Sequence, residues 1–297
     1  MEVLSRAEWE MRSAAHRQRL RRYVEPHLAR QRAGRRHPVH DFVFRYYAHR
    51  PSQLLRWHPG FGVGLAQGST YASLTGYDAP ADEAGTVSVS RAYLQTRLPL
   101  LRPLRRLLTA TAARPANLGC FGLHEWAMVY RVEETGTRHP QPLRLGAAGT
   151  DAVVESHRIG CSHFDAYRFF TPAAAPRNTL RPGSGDRPAF EQPGCVHANM
   201  DLYKHAFRLG PLICSDLVAD CFELAWEIRI LDMRAAPYDM TGVVLDPTGA
   251  EWTPIPIETA AGKRTYAEEQ DRFAVRAAPL RARLIAECER LSAHLDE

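Results

Sequence analysis

The chain has 297 residues, of which 45% are hydrophobic, and it carries a formal net charge of +5. This length lies near the upper limit for one hydrophobic core, so we expect a single large domain. The N-terminus lacks the apolar segment of a signal peptide and no stretch reaches the roughly 18 apolar residues of a membrane span, so the sequence predicts a cytoplasmic protein without membrane contact.

The N-terminal segment, residues 1–58, is strongly basic, with thirteen arginines and five acidic residues. Ser5-Arg6-Ala7-Glu8 has the spacing of a capping box, which predicts a helix from about Arg6 toward Arg30. Such a helix could grip the phosphates of DNA, but a coding bias toward arginine would produce the same composition.

The following elements are predicted from hydrophobic spacing and from glycine and proline. Asp41 to Tyr47 is an aromatic segment expected in the core, and Pro59 to Gly64 is expected to form a turn. Ser90 to Ala113 is predicted to be helical with a break near Pro99 to Pro103. Pro172 to Pro193 is rich in proline and glycine and is predicted to be a long surface loop.

The C-terminal half contains the clearest helix signal. Ser215 is a good N-cap, and apolar residues follow it at helical spacing. A final helix is predicted from about Thr265 to His294, with a short hairpin in Gly242 to Ile257 before it. The predicted fold is therefore mainly α with a minor β component, although an α+β fold is also possible.

The chain divides into three predicted regions of one globular helical domain. Residues 1–58 form the basic helical segment, residues 59–262 carry the candidate site, and residues 263–297 form a C-terminal helix that packs on the same domain. The six cysteines form no Cys-x-x-Cys pair, which argues against a zinc ribbon or a disulfide framework and predicts reduced thiols.

Histidines accompanied by acids mark the central region. If residues 197–205 are helical, His197, Asp201 and His205 share one face at i, i+4 and i+8. Such a face could bind a metal, could pair a catalytic histidine with the carboxylate that orients it, or could be a polar face neutralised by arginines. The residues alone leave these three interpretations open.

A second group of acids follows on the next predicted helix. Asp216, Asp220, Glu223 and Glu227 form one stripe, which we interpret as a solvated face paired with arginines such as Arg229. A dimetal site is disfavoured because the Glu-x-x-His spacing of such sites is absent.

The segment His163 to Phe170 combines one carboxylate, two cationic side chains and four aromatic rings. This composition predicts a pocket for a flat heteroaromatic ligand, in which the rings stack, Arg168 hydrogen-bonds and Asp165 acts as a base or stabilises a cation. The alternative is an Asp165–Arg168 ion pair in an ordinary core helix.

Several segments of the chain resemble a bacterial family usually labelled 3-methyladenine DNA glycosylase. They are Cys120 to Tyr130, Cys161 to Asp165, Gln192 to Cys195, His197 to Lys204 and Leu231 to Arg234. The likeness spans nearly the whole chain. Phe164 to Arg168 and Leu217 to Cys221 are also similar to segments of queuosine-phosphate N-glycosidases, which are helical. Both resemblances imply cleavage of an N-glycosidic bond, although no catalytic residue is carried over by motif.

The leading hypothesis is an N-glycosidase that releases a modified or alkylated purine base from DNA or a nucleoside. Asp165 would stabilise the oxocarbenium-like sugar and act as base, with His163 or His157 as proton donor. The further predicted site residues are Asp201 in the catalytic set, Phe164, Tyr167 and Phe169 as the stacking wall, and Arg168, His124, Glu125 and His197 as substrate-binding groups. This hypothesis needs no cofactor.

Two other classes of function remain open at this stage. A metal-dependent hydrolase or oxygenase would hold zinc, iron or manganese on a ligand set drawn from His157, His163, His197, Asp201 and His205. A nucleotide- or nucleic-acid-binding module would use the same charged residues only for structure. All three hypotheses place the site between about Leu118 and Asp239.

Overall fold

Helices make up most of the structure, a computed structural model that describes residues 1–78, 85–132 and 140–296. In chain order they are α1 (Arg6–Arg32), α2 (Asp41–Arg45), α3 (Pro51–Leu54), α4 (Ser69–Ala72), α5 (Arg91–Ala112), α6 (Leu123–Ala127), α7 (Gly146–Ser156), α8 (Phe164–Tyr167), α9 (Arg187–Phe190), α10 (Val196–Leu209), α11 (Ser215–Ala235) and α12 (Ala260–Asp296). A 3₁₀ helix spans Ala175–Arg177. The predicted class, one mainly α domain with a minor β component, is confirmed.

The strands are short. β1 (Glu2–Leu4) pairs in parallel with β2 (Val63–Leu65), which pairs antiparallel with β3 (Val87–Ser88). The predicted C-terminal hairpin is confirmed by the antiparallel strands β4 (Val244–Leu245) and β5 (Ala250–Glu251).

The core forms around α11, which packs against α10 and α12, while α12 also packs against α5. Phe222 and Trp226 of α11 are fully buried. The Phe44 ring contacts both, with centroids 5.8 Å and 6.1 Å away, so the predicted burial of the aromatic segment is confirmed. This contact anchors α2, whose other aromatic residues reach the candidate site.

The N-terminal helix begins as predicted. The Ser5 side chain accepts a hydrogen bond from the Glu8 backbone, and the Glu8 carboxylate accepts one from the Ser5 backbone. Further along this helix, Arg19 contacts Asp220 at 2.8 Å and Glu223 at 2.5 Å. The acids of the α11 stripe other than Asp216 are paired with arginines, as predicted. Arg229 is not one of these partners, because it is buried on another face of α11.

Three local predictions differ from the structure. Helix α5 continues through Pro99 and Pro103, because buried leucines on both sides of the prolines hold it in the core. Ser215 is the first residue of α11 rather than its cap, and its hydroxyl accepts a hydrogen bond from the His58 backbone. The segment from Pro172 to Pro193 contains α9 and buries Glu191, so it is more than a surface loop.

All six cysteines are free thiols, as the spacing predicts, and four of them are buried. None of the described helices is long and apolar enough to cross a bilayer.

Candidate active site

Asp201 of α10 lies at the centre of a buried ion-pair network. Its Oδ2 accepts a hydrogen bond from Arg187 Nη2 at 2.8 Å, and it lies 3.4 Å from both His163 Nε2 and Lys204 Nζ. Its Oδ1 accepts a hydrogen bond from the Tyr47 hydroxyl at 3.3 Å. Burial opposes ionisation of Asp201, but the hydrogen bond from His163 and the positive charges around it hold its pKa well below the usual range.

This depressed pKa makes the network sensitive to acid. A carboxyl with a lower pKa in the folded state stabilises the protein above its unfolded pKa, and that stabilisation is lost as the pH falls below about 4. Asp201 should contribute a slope of up to about 1.4 kcal/mol per pH unit in this range. Urea unfolding between pH 5 and pH 2.5 should show the slope, and Asp201→Asn should reduce it by about this amount.

The exposed Asp271→Asn variant is the control for this comparison. The buried neutral His197 and His205 have lowered pKa values and account for a separate loss of stability as the pH falls from about 6.5. A slope that is the same in Asp201→Asn and the wild type would contradict the role assigned to Asp201.

Asp165 of α8 shares one cation with this network. Its Oδ2 accepts a hydrogen bond from Lys204 Nζ at 3.0 Å, and its Oδ1 lies 3.1 Å from Arg168 Nε. The predicted Asp165–Arg168 ion pair is therefore present. The Arg168 side chain is 43% exposed, whereas that of Asp165 is 15% exposed and lines a cavity. The pair lies at the edge of this cavity rather than within an ordinary core helix.

A second buried network surrounds Asp232 of α11. Its Oδ1 lies 2.8 Å from His124 Nε2, and its Oδ2 lies 3.0 Å from Arg229 Nη1, which also contacts Glu125 Oε1 at 3.2 Å. Burial lowers the pKa of His124, but the Asp232 carboxylate outweighs it and raises that pKa well above the usual value. Burial and the negative charge of Asp232 raise the pKa of Glu125, which favours its protonated form.

A cavity of about 150 Å³ lies between the two networks. Four aromatic rings line it, those of Phe42, Tyr46, Phe169 and Tyr238, together with Met128 and the polar groups of Glu125, Asp165, His197 and Arg229. The Phe42 and Tyr46 rings stack at 4.7 Å with an interplanar angle of 11°, and the Arg229 guanidinium lies 4.1 Å from the Phe42 ring centroid. These contacts form a flat aromatic wall with the Arg229 guanidinium against one of its rings.

Two of the groups that line the cavity, His197 and Tyr46, are uncharged. Burial and the adjacent His124 lower the pKa of His197 to about 3, so its imidazole is neutral. Burial and the negative charge of Asp165 raise the pKa of Tyr46 to about 12, so its phenol keeps its proton. Beside the charged Asp165 and Arg229, these two groups are neutral donors or acceptors of the kind that recognise a heteroaromatic edge.

His197 joins the two networks. Its ring centroid lies 4.5 Å from that of His124 and 5.5 Å from that of His163. Four of the predicted residues, His124, His163, Asp165 and Asp201, thus lie in one connected cluster. They do not share one cavity, because of these four only Asp165 lines the aromatic cavity.

The remaining predicted residues lie elsewhere. His157 follows α7, and its Nδ1 contacts the Val153 carbonyl at 2.7 Å. Tyr167 is partly buried and packs against Phe170 of the core, with ring centroids 5.3 Å apart. His205 lies one turn of α10 beyond Asp201 and lines a different groove, and of the predicted stacking residues Phe169 lines the cavity whereas Phe164 does not.

Several residues of the site are missing from the sequence-based prediction. Arg229 and Asp232 are three residues apart on α11, and this spacing of opposite charges within an apolar helix is a signal that could have identified them. Phe42 and Tyr46 are four residues apart in the aromatic segment, which puts both rings on one face. Glu191, which lies 3.5 Å from His163 Nε2, follows Arg187 by four residues and pairs with it, a spacing that could have identified both.

The five residues of the alternative metal site do not converge. Within the described ranges, the groups close enough to share an ion are His124 with His197 and Asp232, and His37 with His40 and Asp246. The first group has donor types that suit zinc or iron. However, Asp232 already contacts His124 and the Arg229 guanidinium, whose charge would repel a dication. This charge distribution fits a closed ion-pair network better than a metal centre.

The protein is thus mainly helical, with a small aromatic cavity between two buried ion-pair networks. No family model, curated protein or solved structure matches the chain.

Proposed function

We propose that this protein is an N-glycosidase that releases a modified or alkylated purine base. The observation that supports this most directly is the cavity that places Glu125 and Asp165 among four aromatic rings. Flat rings stack on aromatic walls, and carboxyl groups provide the acid and the anion that cleavage of a glycosidic bond requires. The resemblance to the 3-methyladenine DNA glycosylase family agrees with this proposal.

The proposed reaction breaks the bond between C1′ of the sugar and a ring nitrogen of the base. The bonding electrons leave with the base, and the Glu125 carboxyl supplies the proton that neutralises it. The oxocarbenium-like sugar that forms is stabilised by the Asp165 carboxylate, which is partly exposed at the cavity edge. Asp165 then accepts a proton from the water that adds to C1′.

The surroundings of the two carboxyl groups support these roles. Asp165 contacts Lys204 and Arg168, which hold its side chain in one position. Arg229 holds Glu125 in a buried position where its pKa is raised. In this proposal Asp201 and His163 are positioning residues, because Asp201 fixes Lys204 and His163 packs against His197.

We favour a nucleoside or nucleotide, rather than duplex DNA, as the substrate from which the base is released. DNA binding requires arginines on α1 that are free to contact phosphates. Arg19 and Arg22 instead contact Glu223 of α11, and Arg30 contacts Asp246 at 2.5 Å. A large part of the positive charge of α1 is therefore neutralised within the protein.

Release of free bases, followed by mass spectrometry, tests the proposed function. Purified protein is incubated with alkylated DNA and with a panel of modified purine nucleosides and nucleotides, and a reaction without protein is the control. We expect release from nucleosides or nucleotides. Release only from DNA, with DNA binding that weakens steeply between 50 and 200 mM salt, would support the DNA version. Absence of release from every substrate would overturn the proposal.

The role of Glu125 can be tested with Glu125→Gln, which keeps the shape but cannot protonate the base. We expect release of a neutral purine to fall by about 10²-fold or more. Release of a positively charged, N-alkylated purine should change by less than about tenfold, because this base leaves without protonation. An equal loss for both substrates would indicate that Glu125 binds the base and does not protonate it.

A further inference from the structure

A second, larger cleft of about 520 Å³ lies apart from the aromatic cavity. Its wall includes Phe207 and Arg208, which are ten or more residues beyond His197 on α10, or about 15 Å along the helix axis. The histidines His16, His49 and His58, all from the N-terminal part of the chain, also line this cleft.

The cleft is positively charged. Arg56, Arg97 and Arg208 line it, and none of the described residues that line it is acidic. The Arg97 guanidinium lies 4.7 Å from the Tyr93 ring centroid and donates a hydrogen bond to the Tyr93 hydroxyl, while its buried Nε has no hydrogen-bond partner among the described residues. Arg56 and Arg208 are exposed at the rim. Three guanidinium groups around one opening favour an anion.

The interior of the cleft offers hydrogen-bond acceptors. His16 Nε2 contacts the Leu54 carbonyl at 2.9 Å, so this nitrogen carries the proton and Nδ1 is an acceptor. The side chain is 1% exposed, and Nδ1 has no hydrogen-bond partner in the described part of the chain. The nearest acid is Asp216, whose Oδ1 lies 3.9 Å from this Nδ1. A buried acceptor without a partner is costly unless a ligand donates to it.

His49 adds a second polar group. Its ring stacks on that of Phe207 with centroids 3.7 Å apart, and its Nδ1 is also buried without a hydrogen-bond partner among the described residues. Burial lowers the pKa of His16, and burial with the charges of Lys204 and Arg208 lowers that of His49 to about 4. Both rings are therefore neutral at pH 7 and suited to hydroxyl groups.

We propose that this cleft binds a sugar phosphate, with the phosphate on Arg56, Arg97 and Arg208 and the sugar hydroxyls on His16 and His49. The volume lies within the range of small-molecule sites. A phosphate satisfies the guanidinium groups at the rim, and hydroxyls satisfy the unpartnered ring nitrogens inside. This site is separate from the aromatic cavity, and its proposal does not depend on the proposed base release.

Isothermal titration calorimetry with ribose 5-phosphate, ribose and inorganic phosphate tests this inference. We expect saturable binding of ribose 5-phosphate, and at least tenfold weaker binding of ribose and of phosphate. Equal affinity for inorganic phosphate would show a simple anion site and overturn the assignment. No binding of ribose 5-phosphate at millimolar concentration would also overturn it.

Matched variants locate the binding. Arg56→Ala/Arg208→Ala removes two exposed rim charges and should weaken ribose 5-phosphate binding at least tenfold. Arg102→Ala/Arg106→Ala removes two exposed charges of α5 that lie outside the cleft, and it should change the affinity less than twofold. His16→Phe should weaken ribose 5-phosphate binding but not phosphate binding. Equal effects of the two double variants would contradict the proposed site.

Discussion

Asp165→Asn is expected to lower the rate of base release by about 10²- to 10⁴-fold, the range typical for loss of a general base or of a charge that stabilises the transition state. The variant keeps the size of the side chain but removes its negative charge and its ability to accept a proton. Because Asp165 acts on the sugar rather than on the base, KM should change much less than kcat. Mass-spectrometric release assays over a range of substrate concentrations measure both constants.

The lower rate of Asp165→Asn must not arise from unfolding of the variant. The Arg168 side chain is exposed, so its ion pair with Asp165 should contribute about 1 kcal/mol or less. The amide oxygen of an asparagine at this position can still accept the hydrogen bond from Lys204. We therefore expect a folded variant with an unchanged circular dichroism spectrum. Asp271→Asn makes the same chemical change at an exposed position on α12 and should keep full activity. If Asp165→Asn releases bases within threefold of the wild-type rate, the carboxylate has no catalytic role.

Asp232→Ala is expected to destabilise the protein by about 3–5 kcal/mol, the usual cost of removing one partner from a buried ion pair. Asp232 is fully buried between His124 and Arg229, so its loss leaves the Arg229 guanidinium facing only Glu125. Urea unfolding at pH 7 measures the change in the free energy of unfolding. The matched control is Asp220→Ala on the solvated stripe of the same helix, which should cost about 1 kcal/mol or less.

A double-mutant cycle separates the free-energy cost of the unpaired Arg229 charge from the cost of lost packing. If the cost arises from the unpaired Arg229, then Arg229→Met combined with Asp232→Ala should be less destabilising than the sum of the two single variants by at least about 1 kcal/mol. Additive effects would show that the two side chains stabilise the fold independently. Such a result would contradict the description of this cluster as one network.

The sequence predicted the structure well where interactions between residues close in sequence determine it. The capping box at Ser5 satisfies its own backbone groups within four residues, so its outcome does not depend on the rest of the chain. The periodic apolar residues of α11 similarly predict a buried helix. Helix α5 shows the limit, because its two prolines predict a break that packing against α12 overrides.

The candidate site could be predicted only in part. Clusters of acids and histidines identified Asp165, Asp201, His163 and His124, because charged residues in apolar surroundings need partners. Other partners come from distant positions: Asp232 lies 108 residues from His124, and Lys204 lies 39 residues from Asp165. No spacing rule links such pairs.

The sequence alone determined the helical class, the start of α1 and the region that carries the charged clusters, since hydrophobic periodicity and capping act over a few residues. Only the tertiary structure decided which charges meet, that Arg229 is buried while the acidic stripe stays solvated, and that Phe42 and Tyr46 face Asp165 across a cavity. The physical reason is that the free-energy cost of desolvation requires a buried charge to have a partner but does not specify which residue that partner is. That choice depends on how α2, α8, α10 and α11 pack around a common core.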